Sequence, residues 1–225
     1  MGTDRVVLEL CDVRYEIDDR VLLSGLDLTV HSGESVALMG PSGSGKSTLL
    51  SLVLGLLRPV SGRVLVRGTD LAGLSRRRIA ELRRRNVGMV FQFGELIPEL
   101  RPEENVALAA LLGRAGRSSA LDRAERLLAE LGVPTAADTA RLSGGERQRT
   151  AVARALINSP EVVLADEPTG SLDASSRDKV ADLLFDLPST RRCGLLVATH
   201  DESIARRADR VFRLHEGGLV PEVVN

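Results

Sequence analysis

The stretch "SVALMGPSGSGKSTLL", Ser35 to Leu50, decides the fold. Ser35–Met39 is almost wholly apolar without alternation, the pattern of a parallel strand covered on both faces. Gly40, Pro41, Ser42, Gly43, Ser44, Gly45, Lys46 and Ser47 follow at once and match G-x-x-x-x-G-K-[S/T]. A helical pattern takes over at Lys46 and runs to Leu56. Strand, glycine-rich loop and helix in this order predict a phosphate-binding loop. The glycines let backbone N–H groups converge on phosphate oxygens with no Cβ in the way, and the start of the helix adds its positive field. Lys46 is suited to neutralise phosphate charge and the Ser47 hydroxyl to ligate Mg²⁺. Gly40, Ser42, Gly43, Gly45, Lys46, Ser47 and Thr48 are therefore the candidate nucleotide-binding residues. A glycine-rich turn without ligand is the plain alternative; the correct context on both sides speaks against it.

Working outward, three more runs share the non-alternating apolar pattern: "VGMVF" (87–91), "EVVLA" (161–165) and "GLLVA" (194–198). Helical patterns follow at Ala174–Leu187 and Glu202–Ala208. Toward the N-terminus, "VVLELCDVRYEI" and "GLDLTVHSG" read as short antiparallel strands, and "SGRVLVRGTDL" as a third piece of that sheet. From about Arg101 to Asn158 no strand is expected, and segments such as "LDRAERLLAEL" have helical periodicity. The predicted fold is α/β, with a P-loop NTPase core on a mostly parallel sheet, an N-terminal antiparallel β subdomain and a helical subdomain. One domain covers residues 1–225: about 1–92 plus 159–225 form the core, and about 93–158 the helical part.

"VVLADEP" (162–168) is an apolar strand ending in two carboxylates, costly to bury unless a cation compensates. Beside a phosphate loop, Asp166 fits a metal carboxylate and Glu167 a base that polarises the attacking water. A second glycine-opened helix start, Ser143-Gly144-Gly145-Glu146, matches the S-x-x-E capping box, which needs no ligand. Its two glycines weaken a helix but permit close approach of an anion to bare N–H groups.

"LSGGERQRTAVARAL" (142–156), followed by "SPEVVLADEPTGSLD" (159–173), resembles the signature helix and Walker B segment of the ATP-binding cassette (ABC) ATPases, and the resemblance extends over nearly the whole chain. It implies two copies stacked head to tail around two ATP molecules, with Ser143, Gly144 and Gly145 of each copy closing over the ATP bound at Lys46 of the other. By the same resemblance Tyr15 stacks on adenine, Gln92 touches Mg²⁺ or the attacking water, Asp173 crosses the dimer interface, and His200 contacts the γ-phosphate. Glu167, His200 and Gln92 are then the catalytic set, and Ser47, Gln92 and Asp166 the metal set. On its residues alone, Asp201 is a helix N-cap.

"LRRRNVGMVFQFGELIPELRPEENVALAALL" (82–112) is similar to the branch serving lipoprotein release, macrolide and antimicrobial-peptide export, and a cell-division complex. Ser171 in "PTGSLD" departs from that branch's usual Asn, and "ELRPEENV" from its commoner "TLTALENV". The resemblance implies a Mg²⁺-dependent ATPase at the cytoplasmic face of the membrane, driving a separate integral membrane permease, a short helix of which docks in a groove. Phe93, Leu96 and Ile97 are candidate floor residues of that groove.

The bulk numbers agree with this reading. Thirty Lys and Arg against 31 Asp and Glu give no global case for nucleic acid, and no apolar stretch approaches the ~20 residues of a membrane span. The arginines of "SRRRIAELRRRN" (75–86) read as a solvated helix face or an approach to lipid headgroups. Cys11 and Cys193 lack metal or redox spacing. Two soluble alternatives, a ribosome or nucleic-acid cassette and an iron–sulfur assembly cassette, differ from the transporter reading in membrane association.

Overall fold

The computed structural model describes residues 5–113, 115–134 and 138–222. Two 12-residue strands, β1 (Val6–Ile17) and β2 (Arg20–His31), open the chain as an antiparallel pair, longer than the short strands expected. β3 (Ser35–Met39) leads into α1 (Lys46–Val53). β4 (Ser61–Val66) and β5 (Thr69–Asp70) return to the first sheet, whose order is β2-β1-β4-β5. α2 (Arg76–Asn86) runs directly into β6 (Val87–Val90). The helical stretch contains α3 (Pro102–Leu111), α4 (Arg117–Glu130), a 3₁₀ turn at Thr139–Arg141 and α5 (Gly144–Leu156). β7 (Val162–Asp166), α6 (Ala174–Arg191), β8 (Gly194–Thr199), α7 (Glu202–Ala205), β9 (Arg210–His215) and β10 (Gly218–Glu222) complete the described chain.

The second sheet has the order β10-β9-β3-β8-β7-β6, parallel throughout except for the edge strand β10. Its central strands explain the non-alternating apolar runs. Successive side chains still point to opposite faces, but both faces are dry. Val162, Leu164, Leu196 and Ala198 pack with α1 and the inner face of the antiparallel sheet. Val163, Ala165, Leu195 and Val197 pack with α3, α4, α5 and α6. The helix α5 thus rests on the parallel sheet and shares its core. Gly88 on β6 permits this closeness, because a Cβ there would lie 2.6 Å from the Ala155 carbonyl oxygen.

Parallel pairing also fixes where function can sit. The segments leaving the carboxyl ends of β3, β6, β7 and β8 emerge on one edge, the usual location of ligand sites in open α/β sheets.

Candidate active site

The loop after β3 reaches α1 through Gly45, whose φ of 110° lies in the left-handed region. A Cβ on Gly45 would also press 3.0 Å from Leu23 Cδ2. Gly43, at φ 78°, faces open space, so its backbone is accessible to a ligand. No side chain caps α1, and its first-turn N–H groups are left for an anion. Lys46 is only 7% exposed; its Nζ donates to the carbonyls of Gly40 (2.7 Å) and Pro41 (3.2 Å) and stands 3.8 Å from Glu167 Oε1. The loop's own carbonyls thus hold this cation.

β7 and β8 pair with Asp166 beside Ala198, which brings Glu167 against Thr199 and His200. Glu167 N–H donates to Ala198 O at 2.8 Å. The residue sits at φ 45°, a strained conformation for a side chain of this size, on the scale of about 1–3 kcal/mol. Its carboxylate, 15% exposed, accepts from Thr199 Oγ1 (3.2 Å) and His200 N (3.3 Å), and Oε1 lies 2.8 Å from His200 Nδ1. The His200 side chain is 66% exposed and free to turn toward a ligand. Burial pushes the Asp166 carboxyl above its ordinary range, Glu167 raises it further, and Ser47 and Lys46 oppose the rise.

One cavity of about 740 Å³ is lined by Ser42, Gly43, Gly45, Lys46, Ser47, Thr48, Gln92, Asp166, Glu167 and His200. Four separate chain segments thus meet at one place. Gly40 enters through its carbonyl on Lys46. Tyr15 is not brought to this cavity. Its half-buried ring packs on the apolar core beneath the antiparallel sheet, and Ile17 and Leu22 line the cavity at that edge instead.

Ser143, Gly144, Gly145 and Asp173 also stand outside the cavity. The capping box is formed. Ser143 Oγ accepts from Glu146 N at 3.3 Å; in return Ser143 N–H and Oγ–H each donate to Glu146 Oε2 at 2.8 Å, and these two bonds to the carboxylate, the backbone one first, hold Glu146 below the usual carboxylate range. Gly145 has a reason within the chain as well, since a Cβ would fall 3.0 Å from Ser176 Oγ. Asp173 caps α6 by accepting from Ser176 N at 3.0 Å, and Asp201 caps α7, accepting from Ser203 N at 2.9 Å.

Phe93, Leu96 and Ile97 do not line the larger groove of the described residues. Leu96 packs on the core, while Phe93 and Ile97 are exposed on a loop knotted by buried Asn105. Asn105 Oδ1 accepts from Ile97 N at 2.7 Å, and Nδ2 donates to Ile97 O at 3.0 Å and Leu100 O at 3.1 Å. The larger groove, about 850 Å³, lies between α2 and the helical stretch, with Met89, Phe91 and Leu112 as its larger apolar residues. Two side chains of α5 hold the loop after β6. Gln148 Nε2 donates to Phe91 O at 2.8 Å, and the Arg154 guanidinium donates to Gly94 O and Glu95 O, each at 2.6 Å. Sequence reasoning missed both.

The donor set at Asp166 and Ser47 fits Mg²⁺. The described residues contain no cluster of three or more His, Cys, Asp or Glu able to hold a metal alone, and a desolvated carboxylate beside a hydroxyl suits an ion that keeps waters and takes substrate phosphates as ligands. Replacing Asp166 with Asn tests the burial cost. A carboxyl whose folded pKa is raised makes the ionised native state less favourable, so stability falls as pH rises from the unfolded value through the folded one. At pH 7 the nucleotide-free Asp166→Asn chain should melt about 2–4 °C higher, on the order of 1 kcal/mol for a chain this size. Differential scanning calorimetry reads this, and an unchanged or lower Tm contradicts it.

The profile of the ABC transporter family matches residues 23–170. The chain is 47% identical over 202 residues to the lipoprotein-releasing system ATP-binding protein LolD of Pseudomonas fluorescens, covering 89% of each. It is 40% identical over 219 residues to LolD of Porphyromonas gingivalis, covering 96% of this chain and all of that one. Among solved structures, the dimeric ATP-binding cassette MJ0796 in a post-hydrolysis state with ADP and Pi superposes with a TM-score of 0.86 at 33% identity, over 97% of this chain and 99% of that one. The shared motifs, fold and sequence establish that this chain belongs to the ABC transporter family, as an ATP-binding subunit of its LolD-like branch.

Proposed function

We propose that two copies of this chain stack head to tail around two ATP molecules and hydrolyse them to drive a separate membrane permease, in a lipoprotein-releasing or closely related export or force-transmitting system. The observation that carries this is the division of the site. The phosphate loop, Gln92, Asp166, Glu167 and His200 line one cavity, while the Ser143–Gly145 helix start and Asp173 stand outside it. A second copy is the natural source of the missing wall. Two solved cassettes similar to this chain are dimeric, which supports a paired form.

In this reading Lys46 exchanges the Gly40 and Pro41 carbonyls for the β- and γ-phosphates. Ser47 and Asp166, with Gln92, would hold Mg²⁺, which would supply positive charge against the phosphates. Glu167 takes the proton of the attacking water, and its bonds to Thr199 and His200 aim the carboxylate. His200 turns to the γ-phosphate, and Ser143 and Gly145 of the second copy complete the enclosure. Residues 1–225 act as one nucleotide-binding domain, in which the helical part (93–158) carries the signature against the rest. Among the described residues no helix is long and apolar enough to cross a membrane, so the permease supplies membrane contact and holds the chain at the cytoplasmic face. The names of the relatives favour this over a ribosomal or iron–sulfur assembly cassette.

Purifying the tagged chain with Mg-ATP from detergent-solubilised membranes of its own host tests the reading. A stoichiometric multi-span membrane protein is expected. A soluble homodimer carrying RNA or assembly proteins contradicts it.

A further inference from the structure

The groove beside α2 has a charge pattern that the docking reading does not explain. Arg77, Arg83, Arg84, Arg85 and Arg154 line it, against two acids, Glu81 and Glu95. Only Arg85 is matched, pairing with Glu81 at 2.7 Å. Arg83 donates to the Leu54 carbonyl at 2.9 Å, and Arg154 is spent on the two loop carbonyls of Gly94 and Glu95. Among the described residues, Arg77, Arg83, Arg84 and Arg154 make no ion pair. Arg154 is also largely removed from water, which lowers its pKa despite nearby Glu95. A desolvated cation bonded only to carbonyls is an electrostatic debt that an incoming carboxylate relieves.

The three arginines ending α2 have a bland explanation, since cations are favoured at a helix C-terminus. That account does not cover Arg77 in the first turn or Arg154 on another helix, both of which line the same cavity. Size and apolarity narrow the occupant further. A cylinder about 10 Å across has a section of about 80 Å², so 850 Å³ corresponds to about two turns of α-helix. Phe91 and Leu112, the latter 73% exposed, offer apolar contact to one side of such a helix.

We infer that the occupant of this groove is an acidic amphipathic helix of the permease, with carboxylates two turns apart, at i and i+7, facing Arg77 and Arg84, which are themselves seven residues apart on α2, and an apolar residue between Phe91 and Leu112. The inference rests on the permease reading above and adds the chemistry of the docking segment. Opposite charge steers the encounter and fixes register, while the apolar anchor supplies retention. A flat lipid headgroup layer matches the arginines but not the concave, partly apolar wall.

The test places a photo-crosslinking phenylalanine analogue at exposed Leu112 of the full chain in its own host, with irradiation of membranes and mapping of the linked peptide. The expected product is a cytoplasmic segment of a multi-span protein carrying carboxylates at helical spacing. Arg77→Glu with Arg84→Glu should lower the yield about tenfold, equivalent to about 1.4 kcal/mol, with basal ATPase activity unchanged. Reversing the mapped carboxylates to Lys should restore it. Linkage to a neutral or basic permease segment overturns the charge inference and leaves permease docking intact. Linkage to lipid that the charge-reversed chain loses, together with its loss of binding to phosphatidylglycerol vesicles, overturns it in favour of a headgroup surface. If no multi-span protein accompanies the chain by either cross-linking or co-purification, the permease reading itself fails.

Discussion

Glu167→Gln is expected to cut ATP hydrolysis by about 10²–10⁴-fold, the range for losing a general base, while leaving ATP affinity within about threefold. The amide keeps the shape of a side chain held by Thr199, His200 and the strained backbone, but cannot take a proton. It also removes a negative charge from beside Asp166, whose carboxyl Glu167 raises, and from 3.8 Å away from Lys46. Both changes favour retention of triphosphate. With Mg-ATP the variant should accumulate as a closed dimer on light scattering, and with Mg-ADP it should not. Near-normal hydrolysis would move the base to another residue.

Mixing two inactive variants gives the sharpest test of the shared site. Lys46→Ala removes the phosphate cation and Ser143→Arg blocks the signature, so each alone should hydrolyse ATP at less than about 1% of the wild-type rate. Ser143 is preferable to Gly145 for this purpose, because a side chain at 145 would collide with Ser176, whereas losing the Ser143 cap costs only about 1 kcal/mol. In a head-to-tail heterodimer both lesions fall in one site, and the other is wholly intact. Random pairing of equal amounts should restore about a quarter of wild-type activity if the two sites act independently. A mixture as inactive as its parts would mean that Ser143 serves the ATP of its own chain.

The parallel core and phosphate loop were legible because their signals are local: an apolar run, a glycine spacing and a helix start lie consecutively from Ser35 to Leu50. β9 and β10 were harder to read. "RVFRLH" mixes arginines into a strand paired on one side with β3, and Pro221 sits in β10, which tolerates it only as an edge strand. α6 was expected to stop at Leu187 but continues through Pro188 to Arg191, held by the packing of Leu184 and Leu187. At the site, Lys46, Ser47, Asp166 and Glu167 carry local signals, a glycine spacing and carboxylates ending an apolar strand, whereas Gln92 and His200 were named through the resemblance to the ABC ATPases alone. Tyr15 was assigned to adenine by the resemblance alone, since a lone aromatic on a strand reads alike for core and ligand. The polar ties from Asn105, Gln148 and Arg154 depend on contacts far along the chain, as with Gln148 to Phe91, and no local pattern reports them.

The strand order carries a consequence for stiffness. β3, which presents the phosphate loop, is flanked by β9 and β8 and is braced from both sides. β6, which leads to Gln92, is the outermost strand and, among the described residues, pairs only with β7. The loop beyond it is fastened instead to α5 by Gln148 and Arg154. The strand that carries the glycine-rich loop is therefore held like an anvil, while the rim of the sheet is tied by two side chains to α5, so a force applied at that rim is expected to reach α5 more directly than β3.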